Sequence, residues 1–470
     1  MKYNLAVFFI FLVSFANAQG RFTFEEPVRQ RVLVLTDITN EPDDQQSLVR
    51  FLVYSNEYDV EGIVATTSTH LRDQIRKDKI QELVSAYGLV RPNLVKHAKG
   101  FPEAEYLQSV VAEHLPLFGM DGVGKGKNST GSDLIIKAVD KTDDRPLWVS
   151  VWGGANCLAH ALWHVRETRS ESEVKAFVSK IRVYSISDQD LSGRWIRTNF
   201  PDLFYIVDPS AGDSWFEYYK ATWTGISGDK LNKNGPMYHF GLVDNPWLRK
   251  NIREGHGPLG ENYPEVAYLM EGDTPSFLGL INNGLGWYLS PAYGGWGGRY
   301  EFFRSYAEAG KIWTSTIHTQ DEVRLPSGQS VASNQATIWR WREAYQHDFA
   351  ARMDWNVVDD FSKANHNPVI SLNGNRGKSV ARGVFKAGEK VTLTAAGTTD
   401  PDSDSLSWRW FVYKEIDSPR EIPFQESHQQ EVVFTMPQLE KGKSLHIILE
   451  VKDSGDPALF SYRRIILANE

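Results

Sequence analysis

Between Arg31 and about Asn356 the chain alternates short β-branched runs with helix-like stretches, and after Pro368 that alternation stops. The runs Val32 to Leu35, Val60 to Thr66, Leu147 to Val151 and Ile181 to Ile186 alternate with amphipathic stretches at Asp44 to Tyr54, Arg72 to Tyr87, Ala155 to Arg166 and Gln335 to Met353. Strand and helix in repeated order predict an α/β fold with a mostly parallel sheet and right-handed crossovers. From His366 onward the pattern is short strands between Gly, Pro, Asp and Ser turns: Val369 to Leu372, Lys390 to Ala395, Leu406 to Tyr413, Glu431 to Phe434, Leu445 to Val451 and Tyr462 to Leu467. That spacing predicts an all-β sandwich of about 100 residues. Pro368, in Ala364-Asn365-His366-Asn367-Pro368, holds the linker extended. The expected units are therefore 31–360 and 366–470, the second folding on its own. Leu406, Trp408, Trp410 and Val412 share one face by the period of two and are expected in the sandwich core.

Composition narrows the function classes. With 51 Lys and Arg against 59 Asp and Glu the net charge is −8, and no basic block stands out. Nucleic acid and anionic membrane surfaces are thus poor partners. The single cysteine, Cys157, excludes both an intrachain disulfide and a Cys/His zinc cage. Fifteen tryptophans leave room for rings that stack on sugars, although Trp also fills cores.

The first 18 residues read as a signal peptide. Lys2 gives a positive start, Leu5 to Phe15 is apolar apart from Ser14, and Ala16-Asn17-Ala18 offers small residues at the cleavage positions. The apolar run falls short of the ~20 residues that span a bilayer. Cleavage near Ala18 predicts a secreted or periplasmic bacterial protein with no integral membrane segment.

The chemistry-bearing segment follows the first strand of the α/β unit. Arg31 to Asp37 runs into Ile38-Thr39-Asn40-Glu41-Pro42-Asp43-Asp44, and an amphipathic helix follows with Leu48, Phe51 and Leu52 on its apolar side. Ligands of parallel α/β sheets bind at strand carboxyl ends, where Asp37 lies. Acids this close repel one another unless a cation sits among them, and carboxylates without Cys or His suit calcium before magnesium. Alternatively, Asp43 and Asp44 cap the helix and complement its dipole. The loop alone leaves both open.

The loop resembles the aspartate cluster of the inosine-uridine nucleoside hydrolases, with Asp37 and Asp43-Asp44 separated by two more residues than in that pattern. Three further segments agree in order: Gly153-Gly154-Ala155-Asn156-Cys157-Leu158-Ala159, Val207-Asp208-Pro209-Ser210-Ala211 and Glu271-Gly272-Asp273-Thr274-Pro275-Ser276. The extra residues and the tail look more like the secreted nucleoside-hydrolase-like branch called cellulose-binding proteins, with an immunoglobulin-like C-terminal domain. The resemblance implies a calcium ion held by Asp37, Asp44 and Asp273, Asp37 as base toward water, and Asp43 on a sugar hydroxyl. The reaction it implies is hydrolysis of a glycosidic bond through an oxocarbenium-like sugar, in a carbohydrate or a nucleoside. The alternative is a carbohydrate-binding protein on a hydrolase fold without turnover, attached to polysaccharide by the sandwich. Two positions depart from the family: its His before the late Asp is Gly272 here, and its Asn after the second strand is Ser68.

Other candidates follow from position. Asn156, Gln189, Asp190, Trp195 and Asn199 lie just after strands and are expected to line the pocket. The Gly-rich aromatic stretch Gly284 to Tyr300, with Trp296, is expected to push rings outward as a sugar platform, against the alternative of a cluster packed under a long loop. Glu41 is either an inserted acid or base or a solvated loop residue. His70, His239, His256 and His318 show no ligand spacing and are expected to be ordinary.

Overall fold

The computed structural model describes residues 21–209 and 219–470; the leader 1–18 and positions Ser210 and Ala211 lie outside the described residues. Its central element is an eight-stranded sheet in the order Val111–Glu113, Tyr58–Ala65, Gln30–Thr36, Leu147–Val151, Ile181–Ser185, Phe204–Ile206, Ile312–Thr314, Glu301–Phe303. Every neighbouring pair is parallel except the last, so the expected mostly parallel α/β sheet is present. Strand Gln30–Thr36 is buried along its whole length. Its Val32 and Val34 enter one apolar cluster and Leu33 and Leu35 the cluster on the opposite face, the alternation of a strand covered on both sides. From this strand the chain first builds outward to Tyr58–Ala65 and Val111–Glu113, then returns to pair Leu147–Val151 on the other flank. The reversal makes a topological switch point at the carboxyl ends of Gln30–Thr36 and Leu147–Val151, where such sheets bind ligands.

Helices differ from expectation where loops serve the site. The helix expected over Arg72 to Tyr87 is Lys77–His97. It begins later because the preceding residues form a loop over the sheet end, and it runs on through Pro92. The stretch Gln335 to Met353 divides into Ala336–Trp339 and Arg342–Trp355.

The C-terminal unit is strand-rich. One sheet has the order Phe22–Glu25, Val380–Phe385, Phe460–Asn469, Leu445–Lys452, Ser407–Val412, Glu426–Ser427, and a two-stranded sheet pairs Lys390–Thr394 with Glu431–Thr435. Trp410 and Val412 are buried in its core with Leu406 and Trp408 packed against it, as the period of two requires. The edge strand comes from the other end of the chain: Phe22–Glu25 pairs with Val380–Phe385, outside both expected units.

Independent folding of the tail does not fit the packing. Phe411, Tyr413, Ile448, Phe460 and Tyr462 join the same apolar cluster as Trp287, Trp296, Trp341 and Tyr345. Backbone bonds cross the seam, from Tyr462 N to Asn283 O (3.1 Å) and from Arg464 N to Gly284 O (3.0 Å). Gly284 has φ +94°, and a Cβ there would lie 1.8 Å from the Tyr462 carbonyl oxygen, so only glycine permits this approach. A chain ending after Phe361 should therefore expose this cluster and be recovered insoluble. Soluble, cooperatively melting protein from that truncation would show that the two parts fold separately.

Candidate functional site

Asp37 leaves the central strand at the switch point, and its surroundings explain its orientation. A Cβ at Gly153 would lie 2.5 Å from Asp37 Oδ1, so the bare glycine backbone makes room for the carboxylate. Ser68, at the end of the neighbouring strand, donates its hydroxyl to Asp37 Oδ2. The same Ser68 oxygen accepts from the backbone N–H of His70 (2.9 Å) and Leu71 (3.1 Å), tying that loop to the acid. Asp37 Oδ1 is buried with no hydrogen-bond partner.

The helix Pro42–Val53 opens with Glu41 at its cap position, but no side chain caps it. Asp43 and Asp44 lie in its first turn, where the dipole favours acids, yet Asp44 is turned onto the Thr36 hydroxyl. Opposite stands Asp273. Its loop is anchored by Arg50, which donates through two nitrogens to the Glu271 carboxylate; Tyr263 and Thr274 also donate to Glu271 (2.7 and 2.9 Å). With φ +51° at Glu271, this ion pair holds a strained turn. Asp273 Oδ2 is buried and unpartnered.

Asp43, Asp44 and Asp273 each place one carboxylate oxygen within 4.8 Å of the other two. The expected ligand set was Asp37, Asp44 and Asp273; Asp43 takes the third place in this convergence, and Asp37 stands beside it. Burial pushes the Asp37 carboxyl up to about 6. Burial, then the charges of Glu41 and Asp37, pushes Asp43 up to about 7. Asp44 and Asp273 are held well above the usual carboxylate range by burial and by the neighbouring aspartates. Three buried carboxylates and the half-buried Asp43 cannot all ionise side by side at low cost, and the acceptor-only oxygens without donors fit a hard divalent cation.

These acids floor a cavity of about 750 Å³. Asn40, Glu41, Thr69, His70 and Arg72 line one part, and Trp152, Ile186, Gln189, Tyr219, Trp223, Leu231, Asn232, Tyr268 and Leu269 the rest. Of the expected pocket residues Gln189 is present, its amide donating to the Trp152 carbonyl (2.9 Å). The others are elsewhere. Asn156 is fully buried, its amide donating to Thr67 Oγ1 and Leu117 O (2.9 Å each) and its oxygen accepting from Cys157 N, a loop brace. Asp190 caps the helix Leu191–Asn199 through Ser192 N (2.7 Å) and faces Gly154. Trp195 packs on Phe200 beneath Arg166, and exposed Asn199 bonds Arg166 and the Trp195 carbonyl. Trp296 is buried against Tyr345, so the Gly-rich aromatic stretch is core at the seam and no sugar platform.

Sequence reasoning passed over His70, which lines the cavity, and over Arg50, Glu271 and Trp223. Glu41, left open, lines the cavity. A Cβ at Gly272 would fall 2.8 Å from Asp43 Oδ2 and 3.0 Å from the Trp223 ring. A side chain at 272 would press on Asp43 and the Trp223 ring, so either would have to shift to admit one.

Comparisons with known proteins identify the family. Residues 31–300 match the family model described as cellulose-binding Sde182, nucleoside hydrolase-like domain, and residues 390–469 match the C-terminal domain of the cellulose-binding protein Sde0182. The chain belongs to the Sde182 nucleoside hydrolase-like family. A solved structure from Saccharophagus degradans, described as a nucleoside hydrolase-related hypothetical protein associated with carbohydrate metabolism, is 35% identical; the match covers 94% of this chain and 100% of that one at a TM-score of 0.78. The effector XOO4466 is 11% identical, with 71% of this chain and 95% of that one covered at a TM-score of 0.32. XopQ complexed with adenosine diphosphate ribose is 12% identical, with 71% and 96% covered at 0.32. No curated protein matches.

The electrostatics give a signed pH dependence. Asp37 and Asp43 bind a proton more tightly in the folded chain than in the unfolded one, so their contribution to stability is present below the ordinary carboxylate value of 3.8 and is lost as pH rises through about 6 to 7. Metal-free protein should lose melting temperature over that window, and Asp273→Asn, which removes one charge from the cluster, should lose less. Equal pH profiles for the two proteins in thermal melts after chelation would show that the carboxylates do not repel one another.

Proposed function

We propose that this chain is an exported, calcium-dependent hydrolase of glycosidic bonds in carbohydrate. The observation that carries the reading is the convergence of Asp43, Asp44 and Asp273, with Asp37 beside them, on the floor of a cavity with an aromatic wall. The cellulose-binding description of the family and the link of the Saccharophagus protein to carbohydrate metabolism support the substrate class. The leader expected in residues 1–18 supports export.

Asp43, Asp44 and Asp273 would hold the ion, and no Cys or His competes for that role in the cluster. Bound there, calcium would supply Lewis-acid contacts to sugar hydroxyls and lower the pKa of a coordinated water. The remaining steps belong to the chain. Asp37 presents its unpartnered Oδ1 to the water while Ser68 fixes Oδ2, and a base of about 6 is ionised at neutral pH. As the water oxygen bonds to the anomeric carbon, its proton passes to Asp37 and the bond to the leaving group breaks. Ionised Asp43 stabilises the positive charge on the sugar ring and accepts from a sugar hydroxyl. The leaving group's proton cannot come from residue 272; His70 and Glu41 are the cavity-lining groups able to deliver it.

The bare position 272 also favours a second reading, a glycan-binding protein that retains the fold without turnover. Two measurements separate the readings. Calcium at a hundredfold excess over its dissociation constant should stabilise the parent by about 2.7 kcal/mol, and Asp273→Asn should abolish that gain. Reducing-sugar release from cello-oligosaccharides, xylan and nucleosides should require calcium and fall by about a hundredfold or more in Asp43→Asn. Tight glycan binding without product from any substrate would hand the case to the binding protein; unaltered turnover in Asp43→Asn would return Asp43 to a helix-dipole role.

A further inference from the structure

The described exposed rings are unevenly distributed. In the C-terminal unit the large apolar side chains that reach solvent are Val384, Ile422 and Val433, and none is aromatic. Its Trp410, Phe411, Tyr413, Phe434 and Tyr462 are buried, and Trp408 and Phe424 pack against its core. The α/β unit, by contrast, exposes Tyr219 by 46%, Tyr268 by 59% and Leu231 by 50%, and all three line the cavity floored by the acids. Neither tyrosine hydroxyl bonds to a described residue. Single exposed apolar residues are ordinary, but several on the rim of one cavity make a patch that marks a binding surface.

We propose that Tyr219 and Tyr268 form a platform for an extended β-linked glycan that enters the acid-floored cavity, and that the C-terminal unit takes no part in binding it. The inference rests on the acid cluster being the sugar site. Buried Trp152 and Trp223 serve the unit inside the cavity, and the half-exposed rings at the rim suit a ligand that continues from it into solvent. A β-linked chain of equatorial pyranoses presents flat C–H faces, which stack on aromatic rings, and edge hydroxyls, which Asn40, Thr69, Gln189 and Asn232 can bond from the cavity wall. A tyrosine offers that face at low conformational cost, since two torsions fix it. The C-terminal unit is left with the task its contacts describe: it buttresses the loop Gly284 to Tyr300 and, through that loop, the α/β core.

Calorimetric titration of the full chain in calcium tests this with cellobiose, cellohexaose and inosine as probes. Cellohexaose should bind about tenfold or more tightly than cellobiose, and Tyr219→Ala and Tyr268→Ala should each remove about tenfold from cellohexaose while barely changing cellobiose. The double variant Ile422→Ser/Val433→Ser, on the C-terminal surface, should bind as the parent does. The proposal is overturned if the parent fails to bind cellohexaose, if inosine binds while length confers nothing, or if the length preference survives both tyrosine variants. It is equally overturned if the preference is lost through the C-terminal variant or through Phe302→Ala and Tyr306→Ala, exposed rings outside the cavity. Asp273→Asn separates the two levels. If it abolishes binding of both sugars while the tyrosine variants are neutral, the acid site stands and the platform falls; if it changes no binding, the reading of the acid site itself falls.

Discussion

Mutual repulsion among buried carboxylates is the constraint around which this site is built. Asp37, Asp43, Asp44 and Asp273 come from three segments, and Asp37, Asp43 and Asp44 each raise the proton affinity of Asp273. Left to themselves they would move apart. What holds them is uncharged or already paired: the Ser68 and Thr36 hydroxyls, the bare backbones of Gly153 and Gly272, and the Arg50–Glu271 pair behind the Asp273 turn. Arg50 pairs with Glu271, so its charge is already matched and does not balance the four aspartates. A buried ion pair that places an acid among other acids is the arrangement expected if the proposed cation supplies the balancing charge.

The sheet explains why those segments meet. The first strand of the α/β unit is an interior one, third of the eight in the sheet, and the chain's reversal around it opens the switch point at Asp37. The seam with the strand-rich unit matters for the same reason. Loop Gly284 to Tyr300 packs between the units, and Trp287 and Trp296 lie in the cluster that also takes Phe277, three residues after Thr274. The Asp273 turn therefore rests on a core that residues from both ends of the chain complete.

Much of this was legible in the sequence. The four residues Val32 to Leu35 are apolar without interruption, and a strand covered on both faces accommodates them. Asp44 and Asp273 could be paired through the order of family-like segments. What local pattern could not supply was long-range. Arg50 reads as an ordinary charge on an amphipathic helix until Glu271 is found 221 positions away. His70 has no ligand spacing because its role comes from the loop that Ser68 ties to Asp37. Trp195 and Asn199 follow a strand as a pocket residue should, but the helix they sit on turns them toward Arg166. The aromatic stretch failed for a related reason: glycines that let rings point outward also let a backbone approach closely, and at Gly284 the second use prevails.

The central claim is that one divalent cation resolves the repulsion. Its most direct test is an anomalous difference map from crystals grown with calcium. The account predicts a single strong peak within about 2.3–2.6 Å of carboxylate oxygens from Asp43, Asp44 and Asp273. A map without a peak there, in crystals where the four aspartates keep this arrangement, would contradict it.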